Sequence, residues 1–239
     1  MAIYTAISDC YDTLKPQPQS FRGPARQLAF LDRPTAELHA GHFRGWSVEA
    51  RDFPVAEPRR ASRYFKANAH LALPEAEVSL WIDASIVIVA PITLARLADR
   101  FLRDADICVF AHHSRRSVAE EAAACKALGL DDSTIIDPQL ERQAAEGMPP
   151  GLGLAELPVI LRRHTPAIRV FNEAWWEQIL RGSHRDQLSF DHVAWKTGIQ
   201  YARFPMTLAV RNGLFMKFRR PAEAGALHAG EGGHVGGRG

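Results

Sequence analysis

Three stretches of this chain place carboxylates, imidazoles and guanidinium groups where they could do chemistry. Residues 79–89 read Ser-Leu-Trp-Ile-Asp-Ala-Ser-Ile-Val-Ile-Val, an apolar run rich in Trp, Ile and Val that predicts a buried strand. Asp83 sits inside it. An ionised carboxylate is costly to bury without a partner, so a sheet carries one where a strand meets a pocket and a cation, a donor or water compensates it. The structural alternative is an Asp that begins a turn or caps a helix, and the apolar residues on both sides weigh against it.

The second stretch, residues 181–190, reads Arg-Gly-Ser-His-Arg-Asp-Gln-Leu-Ser-Phe. Asp186 is placed to begin the helix that follows, as an N-cap or first-turn acid. Arg185, Asp186, Gln187 and Ser189 nonetheless crowd four polar groups into five residues after Trp175 and Trp176, a combination suited to sugar hydroxyls and ring faces. In the third stretch, residues 110–121, Ser117 and Glu120 have capping-box spacing. His112 and His113 follow a strand there. Adjacent strand residues face opposite ways, so one histidine is expected at a site and not both.

These groups need a scaffold that gathers them. Residues 2–7 predict a first strand ending near Asp9 and Asp12, and Gln27 to Leu31 a second closed by Asp32, Arg33 and Pro34. The segment 54–66 is a basic loop leading into a helix over 63–69. After the Asp83 strand come a helix over 92–103, a strand over 107–111 and helices over 118–128 and 135–145. Residues 147–158, rich in Gly and Pro, predict a loop. Residues 159–162 and 167–170 predict extended chain, 172–180 and 188–196 helices, and 199–208 an extended ending. Alternating strands and helices define an α/β domain. In open α/β sheets ligands bind beyond the carboxyl ends of the strands, where Asp9, Asp12, Asp32 and Asp83 fall; Asp32 suits a ribose or a base N–H. The domain is expected over residues 1–221, with a disordered Gly/Ala-rich tail over 222–239.

Of the 239 residues 46% are apolar and 23% charged, a globular balance, and the net charge is +2. No global field points to nucleic acid or a membrane. The basic clusters, among them Arg59-Arg60, Arg63 with Lys66, and Arg115-Arg116, are dispersed and suit phosphate or carboxylate ligands. Cys10, Cys108 and Cys125 form neither a disulfide framework nor a zinc signature. No signal peptide or integral membrane segment is evident, so a cytoplasmic protein with reduced thiols is expected. There is no Walker or dinucleotide glycine loop.

Taken in order, the motifs resemble a known family. They run from Tyr4 to Ile7, from Tyr11 to Pro16, from Phe30 to Asp32, from Arg63 to His70, from Trp81 to Ile86, from His113 to Glu121 and from Arg185 to Phe190. This order resembles the glycosyltransferase-like family first catalogued as a domain of unknown function, which includes plant proteins linked to seed-mucilage polysaccharide synthesis and has bacterial relatives. The resemblance implies a GT-A type fold, a single domain with a mixed, mostly parallel central sheet flanked by helices. It implies a nucleotide-diphospho sugar donor, UDP- or GDP-linked, a glycan or small-molecule acceptor, and Mn²⁺ or Mg²⁺ bound through an aspartate motif. Carried over by position, Thr5, Ala6 and Asp32 would hold the nucleotide, and Arg63 and Lys66 would face the phosphates. Asp83 would be catalytic and hold the metal. Asp186, the second catalytic candidate, would contact the sugar or acceptor with Gln187, while Ser85, His113 and Arg185 would complete the donor site.

One departure bears on the metal. The aspartate motif of this fold usually has two carboxylates, and here the stretch is Asp83-Ala84-Ser85. A serine hydroxyl is a weaker ligand for these hard cations, and Arg60, Arg63 and Lys66 could partly substitute for one. Two other functions stay open at this stage. One is a hydrolase acting on a lipid amide, as proposed for some family members, although no Gly-x-Ser-x-Gly elbow is present. The other is a nucleotide-binding protein with a degenerate catalytic site.

Overall fold

The computed structural model describes residues 1–17, 23–39, 44–208 and 212–218. Strand β1 (Ala2–Ile7) is buried along its whole length and is an interior strand of a seven-stranded sheet. Parallel neighbours flank it on both sides, β2 (Arg26–Leu31) on one and β4 (Val78–Ile82) on the other. Beyond β2 lies β3 (Ser47–Ala50). Beyond β4 come β7 (Ala155–Arg163), β6 (Ile107–Ala111) and β8 (Ala202–Arg203). Only β7 runs against the other six.

The period of two along each strand divides the core between the two faces of the sheet. Ile3, Leu80, Ile82 and Leu161 pack against Leu94 and Leu97 of α4 (Leu94–Phe101). The same face carries a small sheet of β5 (Ile86–Ile88) paired antiparallel with β9 (Phe215–Lys217). On the other face Tyr4, Trp81 and Ile160 meet α2 (Pro58–Ala67), α7 (Pro166–Arg181) and α8 (Gln187–Thr197) through Phe65, Phe171, Trp175 and Phe190. Four further helices are α1 (Arg33–Leu38), α3 (Ala69–Ala72), α5 (Val118–Ala127) and α6 (Ser133–Ala145). The architecture is the mixed, mostly parallel sheet with flanking helices expected from the sequence. Because β2 and β4 lie on opposite sides of β1, the carboxyl end of β1 is a topological switch point, where such sheets open a crevice.

Several local expectations need correction. The run 79–89 is not one strand: Ile86 N–H donates to the Asp83 carbonyl at 2.8 Å, so Asp83 ends β4 and begins a turn, and β5 leaves for the second sheet. The basic segment 54–66 is helical from Pro58, whose fixed φ suits the first helical turn. Residues 167–170 are helical rather than extended, because Thr165 caps α7 and Pro166 opens it. The loop expected over 147–158 stops at Leu154. Ala155 to Pro158 belong to β7, and Pro158 is accommodated where the β6–β7 register slips between Val109 and Phe110. Within 199–208 only Ala202 and Arg203 pair. The tail 222–239 lies outside the described residues. Among the described residues no helix is long and apolar enough to cross a membrane.

Candidate functional site

The carboxyl ends of β1, β4 and β6 and the start of β7 share one edge of the sheet, and a cleft of about 260 Å³ opens there. Arg63 and Lys66 reach it from α2, Asp83 and Ser85 from the turn after β4, and Glu156 from the start of β7. Arg185, Asp186 and Gln187 reach it from the entrance to α8, and Lys217 from β9. Tyr11 stands at its mouth on a turn where Asp9 and Cys10 both have left-handed backbones, φ 54° and 52°. Such conformations are uncommon for residues other than glycine and are held only when their surroundings fix them. Here Asp9 N–H donates to Asp32 Oδ2 at 2.7 Å and Cys10 N–H to Thr35 Oγ1 at 2.9 Å.

The centre of the cleft is a charge cluster. Lys66, on the last turn of α2 and 3% exposed, places Nζ 2.6 Å from Asp186 Oδ2 and 3.4 Å from Asp83 Oδ1. The contact with Asp186 joins two nearly buried groups of opposite charge. Arg63 Nε adds a third cationic contact, 3.6 Å from Asp186 Oδ2. Asp186 begins α8 without capping it through its side chain, so its carboxylate is committed to the cleft and not to the helix. Burial alone would raise the Asp186 pKa, but Lys66 and Arg63 overcome that and hold it at about 2. Asp83 Oδ1 also accepts from Trp81 Nε1 at 2.8 Å.

The residues behind the cluster fix its geometry. Arg162, fully buried on β7, donates to the Lys66 carbonyl at 2.5 Å and the Ala67 carbonyl at 3.3 Å, and also to Asn172 Oδ1 at 2.8 Å and Tyr4 Oη at 3.2 Å. A cation on the exposed carbonyls of a helix C-terminus is favourable. Glu121 of α5, 1% exposed, holds two arginine heads, Arg115 Nε at 2.5 Å and Arg185 Nη2 at 3.6 Å. At the other end of the cleft Glu156 is 7% exposed, lies 3.7 Å from His113 Nδ1 and keeps Oε2 without a hydrogen bond. Burial raises its pKa, against the opposing pull of Lys217 and His113.

Eight of the eleven residues assigned to the site by the resemblance meet in this cleft: Arg63, Lys66, Asp83, Ser85, His113, Arg185, Asp186 and Gln187. Ala6 lines an adjoining hollow with Arg63 and Asp83. Thr5 does not reach the cleft; it is fully buried within β1. Asp32 also stays outside it, bracing the Asp9 turn and capping α1 by accepting from Thr35 N–H at 3.0 Å. Arg60 turns away to the Ile179 and Leu180 carbonyls and to Glu57. Trp175 is core, with Nε1 on the Asp186 carbonyl at 3.2 Å, and Trp176 packs on Tyr64. His112 and His113 do not diverge. The strand ends at Ala111, so both line the cleft, with their rings stacked 4.8 Å apart. Glu156, Glu121 and Lys217 were missed.

A divalent cation fits this donor set poorly. One carboxylate is not disqualifying, since Mg²⁺ is often bound by one or two carboxylates with substrate phosphates. The difficulty is that the space between Asp83 and Asp186 already holds the Lys66 ammonium, and Asp83 Oδ1 serves two donors. Among the described residues no group of three or more His, Cys, Asp or Glu could hold a metal ion.

The cleft thus sets buried cations and two carboxylates at the switch point of the sheet, and the profile of the TOD1/MUCI70 glycosyltransferase-like domain matches residues 32–218. The chain belongs to that family. Among named relatives, the probable hexosyltransferase MUCI70 of Arabidopsis thaliana is 29% identical over 92% of this chain. The chain spans 42% of that relative's length. Among solved structures, mouse xyloside xylosyltransferase 1 aligns with 75% of this chain and 71% of its own at 14% identity and a TM-score of 0.43. A glycosyltransferase involved in glycosylation of the major capsid of PBCV-1 aligns over 95% of this chain and 100% of its own, at 10% identity and a TM-score of 0.47.

Proposed function

We propose that this cleft is the active site of a GT-A type glycosyltransferase that moves a sugar from a UDP- or GDP-linked donor to a hydroxyl of a glycan or small-molecule acceptor. The observation that carries the reading is the cationic set Arg63, Lys66 and Arg185 gathered around Asp186 at the switch point of the sheet, in a chain of a glycosyltransferase-like family. In such a transfer the bond between the anomeric carbon and the phosphate oxygen breaks, and its electron pair stays on the diphosphate. Fixed cations beside that oxygen stabilise the charge as it develops.

The acceptor oxygen forms the new bond and loses its proton. Asp186 is a poor proton acceptor, since Lys66 and Arg63 hold its pKa at about 2; it orients the cations and the sugar. Glu156 suits the proton better, having a raised pKa, a buried carboxylate and an oxygen without a hydrogen bond. Titration calorimetry with UDP and GDP tests the reading. Wild type should bind at least one of them, and Arg63→Met should weaken that binding by about tenfold or more. Equal affinity in the variant, or no binding of either nucleotide, would count against it.

A further inference from the structure

The ammonium of Lys66 stands where two acidic side chains converge, and three features fix it there. It is 3% exposed and lies 2.6 Å from Asp186 and 3.4 Å from Asp83. It sits 5.7 Å from the centroid of the Trp81 ring, whose Nε1 holds Asp83. Its backbone is anchored by Arg162, which grips the carbonyls of Lys66 and Ala67. A lysine ammonium has three donors and no acceptor, so two directed at carboxylates leave one for a ligand oxygen in the cleft it lines.

We infer that Lys66 is the resident cation of this site, and that the chain binds the diphosphate of its donor without a divalent metal. The inference rests on the nucleotide-sugar reading and sharpens it. A compact point charge held by two carboxylates offers the phosphate oxygens what a hard divalent ion would, and Arg63, against the same Asp186 oxygen, widens the positive surface. A divalent ion entering between Asp83 and Asp186 would have to displace the ammonium or face it at contact distance, and in a site this buried that repulsion is poorly screened.

The test compares UDP and GDP binding in excess EDTA with binding in Mn²⁺, beside direct titration of Mn²⁺ followed by its electron paramagnetic resonance signal. The inference predicts that the nucleotide binds in EDTA as well as in Mn²⁺, and that adding the protein leaves the Mn²⁺ signal as it is in protein-free solution, both for the ion alone and for its mixture with nucleotide. In Lys66→Met, metal-free affinity should fall by about tenfold or more, and Mn²⁺ should restore part of it, because two carboxylates then lack their cation. Wild-type binding that appears only with Mn²⁺ overturns this inference and leaves the nucleotide-sugar reading standing. Binding in neither condition overturns both. The wild-type arms decide the matter even where Lys66→Met does not fold.

Discussion

Lys66 Nζ lies 2.6 Å from Asp186 Oδ2 in a contact where both side chains are less than a tenth exposed. A buried pair of this kind is costly to break from one side, typically by about 3–5 kcal/mol, because the remaining charge stays in the interior. Asp186→Asn should therefore lower stability by about 3 kcal/mol at pH 7, softened by Asp83, which still faces the ammonium. The sign with pH follows from the depressed carboxylate. The stabilisation is fully present above the ordinary value of 3.8 and is lost as pH falls through about 2. Urea midpoints of wild type and variant should converge over that range; a constant gap from pH 7 to pH 2 would show that the pair does not titrate this way.

Arg162 secures the backbone of Lys66 from behind. Replacing it by Met strips donors from the Lys66 and Ala67 carbonyls, Asn172 and Tyr4, all in the interior. Each unsatisfied buried group costs about 1–3 kcal/mol, so a loss of several kcal/mol in chemical denaturation is expected. A loss below about 1 kcal/mol would mean that water or a neighbour replaces the guanidinium.

Gly182 leads into the Asp186 segment, and its role is spatial. A Cβ there would meet Gln139 Oε1 at 2.2 Å and Gln139 Cδ at 2.8 Å. Gln139 Oε1 accepts from Ser183 N–H at 2.7 Å, while Gln139 Nε2 holds the Leu188 carbonyl at 3.2 Å. Gly182→Ala should cost about 1–3 kcal/mol and lower the melting temperature by several degrees for a chain of this size. An unchanged calorimetric melting temperature would show that Gln139 swings clear at no cost.

Glu156→Gln separates binding from chemistry. It preserves shape and leaves the Lys66 cluster intact, so UDP or GDP affinity should hold while transfer slows by roughly 10²-fold or more, the usual contribution of a positioned proton acceptor. In wild type the rate should rise with pH through the raised carboxyl pKa, because the working form is the deprotonated one, and that limb should vanish in the variant. A variant with the full rate and the same pH profile would remove Glu156 from the reaction.

The site was more legible in the sequence than the elements that hold it. Asp83 stood out because an apolar run gives a carboxylate no local partner, and Asp186 because four polar groups crowd one helix entrance. The turn at Asp83 was hidden because apolar residues continue after it, the second run belonging to another sheet. Glu156 was hidden by Pro158, which reads as loop and is tolerated in β7 only where the register slips. Glu121 lies in the first turn of α5, an ordinary place for an acid, and its hold on Arg115 and Arg185 depends on packing that spacing does not encode. The start of α7 carried a usable signal, since Thr165 followed by Pro166 is an N-cap and first-turn pair.

The most direct test of the central claim is donor turnover. The purified chain would be incubated with a panel of UDP- and GDP-linked sugars, and the released nucleoside diphosphate measured by chromatography, first with water as the acceptor and then with added glycans. The account predicts that at least one donor is consumed, that a suitable glycan accelerates the release, and that Asp186→Asn abolishes it. Release from no donor, or release untouched by Asp186→Asn, would contradict it.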